Sequence, residues 1–134
     1  MKTVKMIEYA EAAALIQACK AKSEALGVPV SIAVLDGSGN TVMLVRLDNA
    51  PFQTPEVARG KALTSVMMRK PSHDVEEATL SRMTLASFHD ARLPIQGGLP
   101  LFSGEACVGA IAASGGTPVQ DEAIAKAGVD AFAG

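Results

Sequence analysis

Aromatic side chains are nearly missing from this chain. It has no tryptophan, one tyrosine and four phenylalanines in 134 residues. The core must therefore be built from Ala, Val, Leu, Ile and Met, which together with the few aromatics and cysteines make up 49% of the sequence. Cysteine is almost as scarce. Cys19 and Cys107 are far apart, with no CxxC, no CxxCH and no zinc spacing, which excludes a disulfide scaffold and a zinc ribbon. The two histidines, His73 and His89, form no paired motif, and no GxSxG or HExxH is present. Excess charge is lacking too. A formal charge of −2 gives no electrostatic reason to expect nucleic acid or an anionic membrane as partner. No apolar run reaches the roughly 18–20 residues of a membrane helix. The start, MKTVKMIEYAEAAAL, lacks a sustained apolar segment of the signal-peptide kind. The expectation is a cytoplasmic protein with reduced thiols. With no linker, repeat or low-complexity tract, it should form a single domain over residues 1–134.

What is present is well punctuated. Glu8 to Leu26 has helical periodicity, with Ala14, Leu15, Ala18, Cys19, Ala25 and Leu26 as the apolar stripe. Gly27 and Pro29 end it. Val30–Leu35 and Thr41–Leu47 are apolar strands around the turn Asp36-Gly37-Ser38-Gly39-Asn40, so they read as a hairpin. Thr54, as N-cap, and Pro55 open a second helix that runs to about Arg69. A third runs from Ser72 or Asp74 to about Phe88. His89–Gln96 is a loop or short extra strand. Leu99–Phe102 and Ala106–Ser114 form a second hairpin around Ser103-Gly104-Glu105. Thr117 and Gln120 have capping-box spacing and start the last helix, where Asp121 and Glu122 suit the helix dipole. The order α-β-β-α-α-β-β-α, with two hairpins, predicts a mainly antiparallel sheet of roughly five strands. The strands VPVSIAVL and ACVGAIAAS are apolar on both faces, so helices must cover the sheet on both sides. The predicted architecture is an α/β/α sandwich.

The residues with chemical potential each admit two readings. Gly60 breaks an Ala-rich helix at a cost of about 1 kcal/mol relative to alanine. It serves either close helix packing or approach of a ligand, whose anionic group Lys61 would then meet as a compact point charge. Gly97-Gly98-Leu99-Pro100 is either a bend into an edge strand or a backbone cradle for a small molecule. Gly115-Gly116 is either a second anion site with the start of the last helix or, as the favoured reading, the joint that delivers a strand into that helix. His89 sits between Phe88 and Asp90, with Arg92 close by, and is suited to ligation or proton transfer. His73 starts a helix and is expected to be solvated. Cys107 is either an inert core thiol or a thiolate at the strand mouth. Met67 and Met68 read as core or interface filler. With Gly60 they suggest a close-packed apolar face on the second helix, hence a homo-oligomer, at least a dimer. No set of residues forms a catalytic constellation.

The succession VPVSIAVLDGSGNTVMLVRLDNAP, ARGKALTSV, QGGLPLFSGEACVGAIAASGG and QDEAIAKAGVDAF resembles the GlcG/HbpS-like family. That family is related to the OrfY proteins and to the C-terminal domain of PduO. The resemblance covers essentially the whole chain, in order. It implies a profilin-like or PAS-like sandwich, assembly into oligomers, and heme or another tetrapyrrole as ligand. In the PduO-type domain it implies a first-helix histidine and a strand cysteine as heme ligands. The first helix here has no histidine, and Cys107 falls on the matching strand; His89 and Cys107 are the candidate heme ligands. The candidate ligand-binding set is Lys61, His89, Gly97, Gly98 and Gly60. Two other functions stay open at this point: an enzyme acting on a small organic acid, and an accessory or regulatory subunit without a small-molecule ligand.

Overall fold

The computed structural model describes residues 1–134. Its elements are α1 (Tyr9–Leu26), β1 (Ser31–Asp36), β2 (Thr41–Arg46), α2 (Thr54–Met68), α3 (Ser72–Ser81), a 3-10 turn (Met83–Ala86), β3 (Gly98–Ser103), β4 (Ala106–Ser114) and α4 (Pro118–Ala131). The sheet has four strands, all antiparallel, in the order β2-β1-β4-β3. The fifth strand anticipated between His89 and Gln96 does not form. That segment is held against α2 and α3 instead, by Leu93 N–H donating to Gly60 O at 3.0 Å and Gln96 N–H to Glu76 Oε1 at 3.0 Å.

The two central strands, β1 and β4, are the two that read as apolar on both faces, and both are covered. Ile32 and Val34 with Ile111 and Ala113 face α1 and α4, joining Leu15, Ile16, Cys19 and Ile124 in one core. Ala33 and Leu35 with Ala110 and Ala112 face α2, joining Ala58, Ala62 and Val66 in a second, smaller core. Alternation along each strand splits the apolar residues between two layers, and this is the α/β/α sandwich. The second core is smaller because it is largely alanine, which lets α2 lie close to the sheet. Pro100 sits in β3, an edge strand, where its missing N–H costs no ladder bond.

Helix ends differ from expectation at two places. Thr54 does not cap α2; Gln53 holds the cap position without a side-chain bond. The Thr54 hydroxyl donates to Pro51 O at 2.7 Å and lies 2.7 Å from Ser31 Oγ, fastening the start of α2 to β1. α3 stops at Ser81, seven residues before Phe88. There Arg82 N–H makes the last helical bond, to Ala78 O at 2.9 Å, Ser81 Oγ donates to the same carbonyl, and Arg82 leaves helical geometry at φ −131°, ψ 83°. The α1 stripe is also rotated: Ala12, Leu15, Ile16, Cys19 and Ser23 are buried, whereas Ala14 and Leu26 face solvent. The Gly27 stop and the Thr117–Gln120 capping box both form.

Candidate functional site

Of the five residues proposed as ligand contacts, the fold brings four together. Gly60 and Lys61 on α2 meet Gly97 and Gly98 at the start of β3. The seam they form is closed. Lys61 is 3% exposed, and its ammonium donates to Asp121 Oδ2 at 2.8 Å and to Ala113 O at 3.1 Å. Asp121 is equally buried, and its other carboxylate oxygen accepts the Gly116 N–H at 2.8 Å. The pair joins α2, on one side of the sheet, to α4, on the other. A buried ion pair is tolerated when both charges are hydrogen-bonded further, and here the Ala113 carbonyl and the Gly116 amide do that.

The glycines make this closure possible. A Cβ on Gly98 would lie 2.5 Å from Lys61 O, and one on Gly97, which has φ +136°, would lie 2.8 Å from Lys61 Nζ. A Cβ on Gly60 would lie 2.7 Å from the Leu93 side chain and 2.9 Å from Ala91 O. The close approach that the glycine pair announces is thus an approach to α2 itself. Ser72 completes the seam: its hydroxyl donates to Ile95 O at 2.6 Å and accepts the Gly98 N–H at 2.8 Å. Two buried polar atoms find no partner, Ser65 Oγ and His73 Nδ1. His73 is half-buried rather than solvated.

His89 is separate from the seam and exposed. The neighbours expected to orient it are bonded to each other. Arg92 donates to both Asp90 oxygens, at 2.8–3.0 Å, and its guanidinium stacks on Phe88, 3.8 Å from the ring centroid. The guanidinium hydrogen bonds hold the Asp90 carboxyl below the usual carboxylate range. Cys107 is half-buried, packs against the α2-side core, and its Sγ lies 3.5 Å from Gly109 O. Cys19 is in the other core, and burial pushes its thiol up to about 12. No three His, Cys, Asp or Glu side chains converge to hold a metal ion.

The open site lies elsewhere. A cleft of about 570 Å³ runs between the segment ahead of α1, the first turns of α1, and the chain that follows α4. Its walls are apolar, from Ile7, Ala10, Ala14, Leu15, Val108 and Phe132, and its polar atoms come from Lys5, Glu11 and Ser103. Two bonds shape it. Ile7 N–H donates to Val108 O at 3.0 Å, laying the leading segment along β4, and Ser103 Oγ donates to Gly134 O at 2.9 Å. Lys5 is exposed, with Nζ 3.3 Å from Ser103 Oγ. A second, polar cleft of about 470 Å³ lies by the end of α1 and the end of β2; Lys20 and Glu24 in it pair with each other at 3.0 Å.

No motif marks the apolar cleft in the sequence, because alanine, isoleucine and valine are also what any core contains. Asp121 was more accessible to inference. A lysine between Ala58, Ala62 and Ser65 on the buried face of a helix must find an acid, and few acids occupy a helix start beside a glycine pair.

The profile of the family described as "Haem degrading protein HbpS-like" matches residues 7–130. This chain belongs to the HbpS-like family. An uncharacterised 15.0 kDa protein from the dhaT–dhaS intergenic region of Citrobacter freundii is 32% identical over 130 residues, which cover 94% of this HbpS-like chain and 92% of that one. The crystal structure of a double mutant of Streptomyces reticuli HbpS superposes with a TM-score of 0.94 at 27% identity, over 100% of this chain and 92% of that chain. The crystal structure of a PduOC:heme complex has a TM-score of 0.89 over 96% of both chains. At 23% identity that last likeness shows the fold alone.

Proposed function

We propose that this HbpS-like protein binds a heme-type tetrapyrrole in the cleft beside Lys5 and works as a homo-oligomer. The observation that carries the reading is the cleft: about 570 Å³, walled by aliphatic side chains and Phe132, with an ammonium at its mouth. Small-molecule sites are concave, mostly apolar, and about 300–1,000 Å³ in volume. Apolar walls suit the faces of a macrocycle, and Lys5 suits a carboxylate on its edge. The family's description, which names haem, points to the same class of ligand. Lys61, Gly60, Gly97 and Gly98 contribute from the seam, by holding α2, α4 and β3 in fixed relation.

The assembly reading rests on exposed apolar side chains around the end of α2 and beyond it: Met67, Leu80, Met83, Phe88 and Ile95. Large apolar side chains left exposed along residues 67–95 are suited to burial against a second copy of the chain. Light scattering at micromolar concentration should report a dimer or larger species. Hemin titrated into the purified protein should give a saturable Soret shift that reaches an end point at one ring per chain. A linear, unsaturable response would remove the reading.

A further inference from the structure

The cleft presents a macrocycle with walls and a cation, and very little for its iron. Heme iron is held by imidazole, thiolate, thioether or phenolate groups. Neither histidine, neither cysteine and not the tyrosine lines the cleft. Cys19 is fully enclosed in the core. Cys107 packs on the α2 side of the sheet, against the core that the cleft does not touch. His89 lies on the exposed segment beyond the 3-10 turn, and His73 on α3.

Four polar or soft groups do line the cleft. Lys5 is an ammonium, which has no lone pair while protonated, and it already donates to Ser103. Ser103 donates in turn to Gly134 O. Glu11 supplies a hard carboxylate oxygen on the first turn of α1. Met6 supplies a thioether, the weakest of the soft ligands, and the Ser38 hydroxyl lies 3.7 Å from its sulfur. The aliphatic walls, by contrast, are extensive and fixed. Ile7 is 4% exposed and pinned to Val108 by a backbone bond, and Leu15 is 1% exposed.

On the reading that this cleft takes a tetrapyrrole, we infer that it selects the flat apolar ring and its carboxylate and is indifferent to the iron. The ligand class is then any planar amphiphilic anion of tetrapyrrole size, metal-free porphyrins included. Lys5 sets the preference for an anion, and the aliphatic walls set the preference for a flat apolar body.

The test compares hemin with protoporphyrin IX by fluorescence quenching and absorbance on the whole chain. The two rings should bind with dissociation constants within about threefold of each other, less than the tenfold that 1.4 kcal/mol represents. Ala14→Phe, on an exposed position of α1 that lines the cleft, should weaken both by more than about tenfold. Lys5→Glu should weaken both by a common factor, and Met6→Leu should change neither. Hemin binding more than about tenfold tighter than the metal-free ring, or a loss confined to hemin in Met6→Leu, would overturn the inference and leave tetrapyrrole binding standing. Undiminished binding of both rings by Ala14→Phe would overturn the cleft as their site. Binding of neither ring would overturn both readings together.

Discussion

The seam around Lys61 and the cleft around Lys5 each contain one lysine, and the fold treats the two in opposite ways. Lys61 is 3% exposed and hydrogen-bonded to a carboxylate and a carbonyl, at 2.8 and 3.1 Å, with glycine backbone packed over it. Lys5 is exposed, and its one contact is a 3.3 Å bond to Ser103. The first is a clamp between layers; the second is a charge available to something from outside. Glycine pairs and an isolated lysine stand out in a sequence because tight packing demands them, whereas a binding cleft made of Ala, Ile, Leu and Val looks like any other core.

The largest effect is expected at the clamp. Lys61→Met should cost about 3–5 kcal/mol, because it leaves the Asp121 carboxylate buried without its partner. Urea denaturation measures this. A double variant, Lys61→Met with Asp121→Leu, should recover much of the loss. If the single variant unfolded at the same urea concentration as the wild type, the clamp would have no energetic meaning.

Next comes the packing over it. Gly98→Ala pushes a methyl to 2.5 Å from Lys61 O, where only backbone can yield, and overpacking of this kind costs about 1–3 kcal/mol. Gly60→Ala should cost less. Its gain in helix propensity of about 1 kcal/mol offsets part of the clash with the Leu93 side chain at 2.7 Å and the Ala91 carbonyl at 2.9 Å. The order of the two melting temperatures tests this.

Alkaline pH probes the α1–α4 core in the same units. The Cys19 thiol has its ordinary value near 9 when unfolded and about 12 when folded. Above pH 9 the unfolded chain loses a proton that the folded chain keeps. Stability is therefore fully present below pH 9 and falls by about 1.4 kcal/mol per pH unit up to pH 12. Cys19→Ala should flatten that slope relative to wild type. In the native protein an alkylating reagent should modify half-buried Cys107 and spare Cys19, as mass spectrometry of the two peptides would show.

The smallest stability effect belongs to the cleft. Ala14→Phe changes an exposed helix position and should move the urea midpoint by an amount within about 0.5 kcal/mol, while removing most ring binding. Substitution thus changes stability at one lysine's site and binding at the other's.

Much of the fold was legible because its signals are local. Gly27, Asp36 with its two glycines, Pro55, and the Thr117–Gln120 box each specify a stop, a turn or a start through nearby backbone bonds. The double-sided apolar strands announced helices on both faces. The errors fell where a distant partner decided. Thr54 capped nothing because Ser31 and Pro51 were within reach. Residues 89–96 formed no strand because α2 and α3 already met their backbone groups. Gly60, Gly97 and Gly98 were recognisable as points of close approach, but what approaches them was not.

From the sequence alone follow the order of elements, the layering and the family, since periodicity, caps and turns act over a few residues and repeat along the chain. Only the tertiary structure decided that Lys61 ends on Asp121, that the glycine pair closes over α2, and that the open space lies beside Lys5. Those are pairings between residues 60, 37 and 98 positions apart in the chain. Such pairings depend on how two layers come to rest against each other, and no local propensity encodes that.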